Sequence, residues 1–240
     1  MRIVINHLTR MRTGYVCAAG VELESLRHVR PVLEEGALPF DLLARYGGPL
    51  EMAAVVDLRS ARPLGQRPHV EDHVILPDGT SLRMQMAADE FWGLLMRLAR
   101  TRLRDIFGDE LRRVGRSSCG TDVGRGRCSL GCFRPSQTPG LCCVLQAASG
   151  KTRIRMRITD GELDAEVGVT DVRLHEDDHV TANRTLVEET ARRIERSEEV
   201  VLGVGLTRAF TSSTPHGEEE AHWLQVTNIH FKEDPIWPLG

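Results

Sequence analysis

Apolar and polar residues alternate with a period of two along much of the chain, the spacing that turns one face of an extended strand toward a core. Ile3 and Ile5 share a face in the opening segment, which reaches Leu8-Thr9-Arg10 and turns at Arg12-Thr13-Gly14 before a second strand over Tyr15 to Val21. Glu51 to Leu58 and His73 to Leu76 predict further strands, the latter running into Pro77-Asp78-Gly79-Thr80, where Asp78-Gly79 signals a hairpin. One long helix is predicted in the first half. Asp89 is its N-cap, Gly108 ends it, and Trp92, Leu95, Met96, Ala99, Leu103, Ile106 and Phe107 recur at helical spacing. Arg97, Arg100 and Arg104 fall on the opposite, solvated face.

From Arg113 to Ser149 the chain turns to Gly, Ser, Pro and Cys, which predicts long connecting loops around one short strand, Leu141 to Leu145. The boundary between two halves is placed there, giving domains 1–145 and 146–240. Lys151 to Ile158 and Glu162 to Val169 alternate on either side of Asp160-Gly161 and predict a hairpin. A two-residue turn sets Arg157 opposite Asp164 and Arg155 opposite Glu166, an outer ladder of opposite charges worth about 0.2–1 kcal/mol per pair. A helix from Thr185 to Arg196, a strand Val200 to Val204, a loop Ser212 to Glu220 and a strand His222 to Phe231 follow, with Pro235, Trp237 and Pro238 as a tail. Leu206-Thr207-Arg208 repeats Leu8-Thr9-Arg10 at a strand end, a hint of duplicated halves. The expected class is β-rich α+β, two small barrels in tandem with one helix each.

The 240 residues are 41% hydrophobic and 27% charged, which excludes a disordered or fibrous chain. No apolar stretch reaches the roughly eighteen residues of a membrane span, and Met1-Arg2-Ile3-Val4-Ile5 enters a strand rather than a signal sequence, so a cytoplasmic location without membrane contact is expected. A net charge of −3 hides a basic excess between Arg97 and Arg134 and an acidic stretch from Asp160 to Glu199. The six cysteines, two of them adjacent at Cys142-Cys143, are expected as free thiols in a reducing compartment.

The spacing of Cys119, Cys128, Cys132, Cys142 and Cys143 matches neither zinc ribbons nor ferredoxins, and small apolar cysteines in a loop shaped by Gly120, Gly124, Gly126 and Gly131 are the alternative to a metal cluster. His69, Glu71 and His73 share a face if extended, as a hydrolytic metal site requires; a structural loop lock is the competing reading. No nucleophile elbow, phosphate-binding loop, dinucleotide fingerprint or zincin helix occurs. Neither catalytic residues, a metal nor a cofactor is expected. Trp223 with Gln225 beside it suits a strand that stacks and hydrogen-bonds a base, and equally a Trp in a small core.

Ile5-Asn6-His7-Leu8-Thr9-Arg10, His28-Val29-Arg30-Pro31, Pro68-His69-Val70-Glu71-Asp72, Val169-Thr170-Asp171-Val172-Arg173-Leu174, Gly205-Leu206-Thr207-Arg208 and His222 to His230 together resemble the signature stretches of the bacterial dual OB-containing domain family. The resemblance implies two OB-like barrels in tandem and a place in bacterial conflict or nucleic-acid-processing systems. It carries no catalytic residues with it.

OB barrels bind oligonucleotides across one sheet face and its flanking loops. The expected function is therefore non-enzymatic recognition of single-stranded DNA or RNA, or of a nucleotide-like ligand. Arg10, Arg30, Arg173 and Arg208 would contact phosphate, Trp223 and Gln225 a base, and Asn6, Thr9, Thr207 and Asn228 would complete the set. Against this, the same arginines can brace Glu71, Asp72 and Asp171 at strand ends. A protein-interaction scaffold with partners in a larger system and a metal-dependent hydrolase are the alternative functions.

Overall fold

The computed structural model describes residues 1–76, 80–115, 117–146, 150–196, 199–214 and 217–237. The first half comprises β1 (Arg2–Arg10), β2 (Tyr15–Glu22), β3 (His28–Val32), β4 (Leu38–Pro39), β5 (Ala54–Leu58), β6 (Arg62–Pro63), β7 (Asp72–Val74) and β8 (Thr80–Gln85). They pair in the order β6-β7-β3-β2-β1-β5-β8, with β4 alongside β2. Asp78-Gly79, the hairpin signal before β8, lies outside the described residues.

The second sheet starts earlier than the sequence implies. Short strands β9 (Arg112–Val114), β10 (Ser118–Thr121) and β11 (Leu130–Phe133) occupy the segment expected to be loop, followed by β12 (Gly140–Gln146), β13 (Lys151–Thr159) and β14 (Asp164–Val169). β15 (Val200–Leu206), β16 (Phe210–Thr214) and β17 (Gly217–Phe231) complete it. The order is β11-β15-β17-β14-β13-β12, so strands within 112–145 pair with the second half rather than the first. These strands escaped notice because their small residues allow close approach instead of marking a face. A Cβ on Gly120 would sit 2.6 Å from the His222 carbonyl oxygen. The expected loop Ser212 to Glu220 belongs to a hairpin in which Phe210 pairs with Ala221 and Ser212 with Glu219.

The long helix is two helices. α1 (Ala88–Leu98) buries Phe91, Leu94 and Leu95 in the first core, and α2 (Leu103–Phe107) buries Leu103, Ile106 and Phe107 in the second. Between them Ala99 is extended, Arg100 N–H donates to Cys132 O at 2.9 Å, and Arg134 N–H donates to Arg100 O at 2.9 Å. Hydrogen bonds to β11 thus replace a helical turn where the chain passes from one core to the other. Asp89 is not the N-cap, which falls at Ala87. α3 (Arg184–Glu195) is capped as a helix should be, Asn183 accepting from Leu186 N–H at 3.0 Å, and packs Val187 and Ile194 into the second core.

In the β13–β14 hairpin the loop is longer than two residues, so Arg157 faces Glu166 and Thr159 faces Asp164. The expected ion pairs survive on the diagonal, Arg157 with Asp164 at 2.9 Å and Arg155 with Glu166 at 3.2 Å.

Two bulges face each other where the halves meet. The β1–β2 register skips Asn6, and the β15–β17 register skips Thr227. Asn6 and its neighbour His7 are both buried, and His7 Nδ1 lies 2.7 Å from Thr227 Oγ1. Next to it the Asn228 amide accepts from Leu8 N–H at 2.9 Å and donates to Leu8 O at 3.1 Å, taking the place of a strand partner. Cys132, Val172 and Val201 of the second half pack into the first core. The Trp237 tail is no free end: its indole N–H donates to Ile229 O at 2.8 Å and its ring lies 3.9 Å from the Arg173 guanidinium carbon. Pro238 lies outside the described residues.

Candidate functional site

β1, β14 and β15 end together at the junction, beside the middle of β17, and two clefts open around their ends. The larger, about 570 Å³, is walled by Arg10, Arg153, Arg155, Phe210, Trp223 and Gln225. The smaller, about 410 Å³, is walled by Thr9, Arg10, Arg30, Asp72, Arg208 and Gln225. Arg10, Thr207 and Gln225 line both, so the clefts adjoin. Room exists there for a backbone reason: Gln225 has glycine directly across both neighbouring strands, Gly168 on β14 and Gly205 on β15.

Arg10 is half-buried, and its side chain has no acidic or hydrogen-bonding partner among the described residues; its Nε is buried and unsatisfied. Burial first, and the Arg153 cation second, lower its pKa. An uncompensated guanidinium beside a second cation is unfavourable in the free protein and suits an anion that enters the cleft. Across the smaller cleft, Arg30 Nε and Arg208 Nη2 each donate to Asp72 at 2.6 Å, so two cations share one buried carboxylate and the wall stays positive. Arg155 is offset by Glu166 in the same wall.

Of the residues singled out by sequence, Thr9, Arg10, Arg30, Thr207, Arg208 and Gln225 line the clefts together. Thr9 Oγ1 donates to Cys17 O at 3.3 Å, and Thr207 Oγ1 accepts from Trp223 N–H at 2.9 Å, so both hold strand ends. Asn6, Arg173 and Asn228 do not reach the clefts. Asn228 clamps Leu8, Asn6 sits in the bulge, and Arg173 is buried in a two-point contact with Asp171 at 2.7 and 2.9 Å. For Arg173 and Arg30 the bracing role describes the geometry. Trp223 lines the larger cleft but is only 8% exposed, with Nε1–H donating to Phe210 O at 2.9 Å. The exposed ring is its neighbour Phe210, 48% accessible and 5.9 Å away between centroids. Sequence reasoning missed Phe210 and Arg153. The signal for Phe210 was an aromatic opening a polar run, Phe210-Thr211-Ser212-Ser213, two residues after Arg208.

Among the described residues, several cations of the basic segment between Arg97 and Arg134 are taken by neighbours. Arg102 pairs with Glu162, Arg112 with Asp122 and Glu219, and Arg100 caps the carbonyls that end α1. Glu71 accepts from Ser129 N–H at 2.7 Å, Leu130 N–H at 3.1 Å and Ser129 Oγ at 2.9 Å, while burial raises its pKa. His69 Nδ1 lies 2.9 Å from Arg30 Nη2 and His73 turns back to the Glu71 carbonyl. The trio locks a loop to the second half instead of converging on a metal. The cysteines are scattered: Cys119 lies in the second core, Cys132 in the first, and Cys142 is exposed.

A strand-dominated chain of two sheets with its cleft at the ends of three strands is the kind of protein in which OB barrels are paired. The chain belongs to the dual OB-containing domain family, whose signature matches residues 1–229. No curated protein matches it in sequence. Among solved structures, a chain of a replication protein A heterotrimer bound to single-stranded DNA aligns over 95% of this chain at 9% identity and a TM-score of 0.36. This chain spans 48% of that chain's length. Among the described residues no helix is long and apolar enough to cross a membrane.

Proposed function

We propose that the chain is a non-enzymatic recognition module that binds single-stranded nucleic acid along the adjoining clefts, as part of a larger bacterial conflict or nucleic-acid-processing system. The observation that carries this reading is Arg10: an unpaired, half-buried cation at the wall shared by both clefts, with Arg153 on one side and Arg208 on the other. Phosphates spaced along a strand match cations spaced along a groove, and OB barrels bind in this way. Phe210 offers a ring for a base, and Gln225 an amide for a base edge. A single strand is favoured over a duplex because the aromatic and the amide stand inside the cleft, where only splayed bases reach.

Anisotropy of labelled single-stranded DNA, single-stranded RNA, duplex and nucleotides at low salt tests the reading. Single strands bind, weakening with salt on a slope of only a few phosphates. Arg10→Gln weakens binding by about tenfold or more, the loss of a charge-assisted contact of about 1.5–3 kcal/mol, while melting of the free protein holds or rises because an uncompensated charge is gone. Absence of wild-type binding at low salt refutes the function.

A further inference from the structure

We propose that His7, His28 and Cys132 form a binding site for a borderline-soft divalent metal ion, zinc above all, that clamps the two halves together. One donor atom from each residue lies within 4.8 Å of the others. Tetrahedral zinc, with bonds of about 2.0–2.3 Å, holds its ligands about 3.6 Å apart, so side-chain rotations of an ångström or so close the site. Two imidazoles and a thiolate are a donor set that zinc takes, leaving a fourth position open.

Independent features point to a ligand. His7 Nε2 is buried with no hydrogen-bond partner, an unfavourable state for a polar atom. Its other ring nitrogen lies 2.7 Å from Thr227 Oγ1; in the tautomer that donates from Nδ1 to this hydroxyl, the Nε2 lone pair is free to take a metal. The Asn6 amide spans the other two ligands, Nδ2 lying 3.2 Å from His28 Nε2 and 3.5 Å from Cys132 Sγ, and its Oδ1 is a second buried atom without a partner. The bulge that turns Asn6 and His7 inward together is a device that re-aims side chains at sites. His28 is half-buried and gives the ion its way in.

The site is apart from the clefts, none of whose lining residues it uses. Its histidines come from β1 and β3 and its sulfur from β11, so the ion joins the two sheets. On binding, the Cys132 thiol gives its proton to buffer and the sulfur bonds the metal.

The test is cobalt(II) titration of the reduced, chelator-treated full chain, followed by zinc competition and melting. A thiolate-to-cobalt charge-transfer band with visible bands of tetrahedral intensity should saturate at an equimolar ratio, disappear on zinc addition, and accompany a higher melting temperature. Cys132→Ser should abolish the band and Cys142→Ser, at an exposed cysteine, should keep it. His28→Gln, at a half-buried position, should fold as wild type without metal and bind it at least about tenfold more weakly, a loss no smaller than that of a supporting residue. A wild-type chain without a saturable band, a band that survives in Cys132→Ser, or unchanged affinity in His28→Gln each overturns the proposal.

Discussion

Replacing Phe210 and Trp223 separately by alanine should split binding from stability. Trp223 is almost fully enclosed, pinned through its indole N–H to Phe210 O and through its backbone N–H to Thr207 Oγ1. Truncating a buried aromatic costs about 3–5 kcal/mol, a large share of the about 5–15 kcal/mol that holds a domain folded. Phe210 is half-exposed and touches Trp223 at 5.9 Å in a tilted pair. Losing it removes about 0.5–1.5 kcal/mol of ring contact from the free protein. If a base stacks there, the same change removes about 1–3 kcal/mol of affinity, a factor of roughly 5 to 150. Urea denaturation and oligonucleotide anisotropy on both variants check the split. Trp223→Ala should shift the midpoint strongly, whereas Phe210→Ala should barely move it yet bind single strands at least about fivefold more weakly. A folded Phe210→Ala protein that binds as wild type refutes the stacking role of this ring, and a Trp223→Ala protein of unchanged stability refutes the enclosure argument.

Glu71→Ala should cost roughly 2–6 kcal/mol, because it leaves the Ser129 and Leu130 amides buried without an acceptor at about 1–3 kcal/mol each, while Glu71→Gln, which keeps an acceptor oxygen for both, should cost only about 1 kcal/mol. Equal denaturation midpoints for the two variants would exclude the loop-lock role. Acid should destabilise the fold early: burial is the first cause that lowers His175 to about 4 and His69 to about 2, so both are neutral when folded. The unfolded chain takes up their protons below about pH 6.5, so stability is full above that value and falls as the pH drops toward 4, by up to about 1.4 kcal/mol per pH unit for each histidine. Melting temperatures that stay flat between pH 7 and 4.5 would contradict this.

The elements with a regular apolar face were legible from its spacing: strands β2, β13 and β14 and helix α3 stand within a few residues of their expected bounds. What escaped was governed by partners distant in sequence. The helix breaks at Ala99 because Arg100 finds β11, and the cysteine segment makes strands because its glycines let other backbones approach. In the site, the Leu-Thr-Arg triplets marked the right place, since Thr9, Arg10, Thr207 and Arg208 meet in one cleft. Arg173 and Asn228 looked alike in sequence but were taken by buried partners, and only their surroundings tell a bracing arginine from a free one. Trp223 drew attention as the larger ring, though the residue that covers it, Phe210, is the one left in solvent.

The clasp between Leu8 and Asn228 ties positions 220 residues apart in sequence. During synthesis, the amide that completes the hydrogen bonding of β1 emerges 220 residues after Leu8. Until then the bulge and its neighbours must remain hydrated, and the first core lacks Val172 and Val201. Contacts this remote in sequence slow the search for the native state, and an unfinished strand edge invites mispairing in the interval. The joint between the two halves therefore makes the first half depend on the second for its own completion, and constrains the order in which a nascent chain can become native.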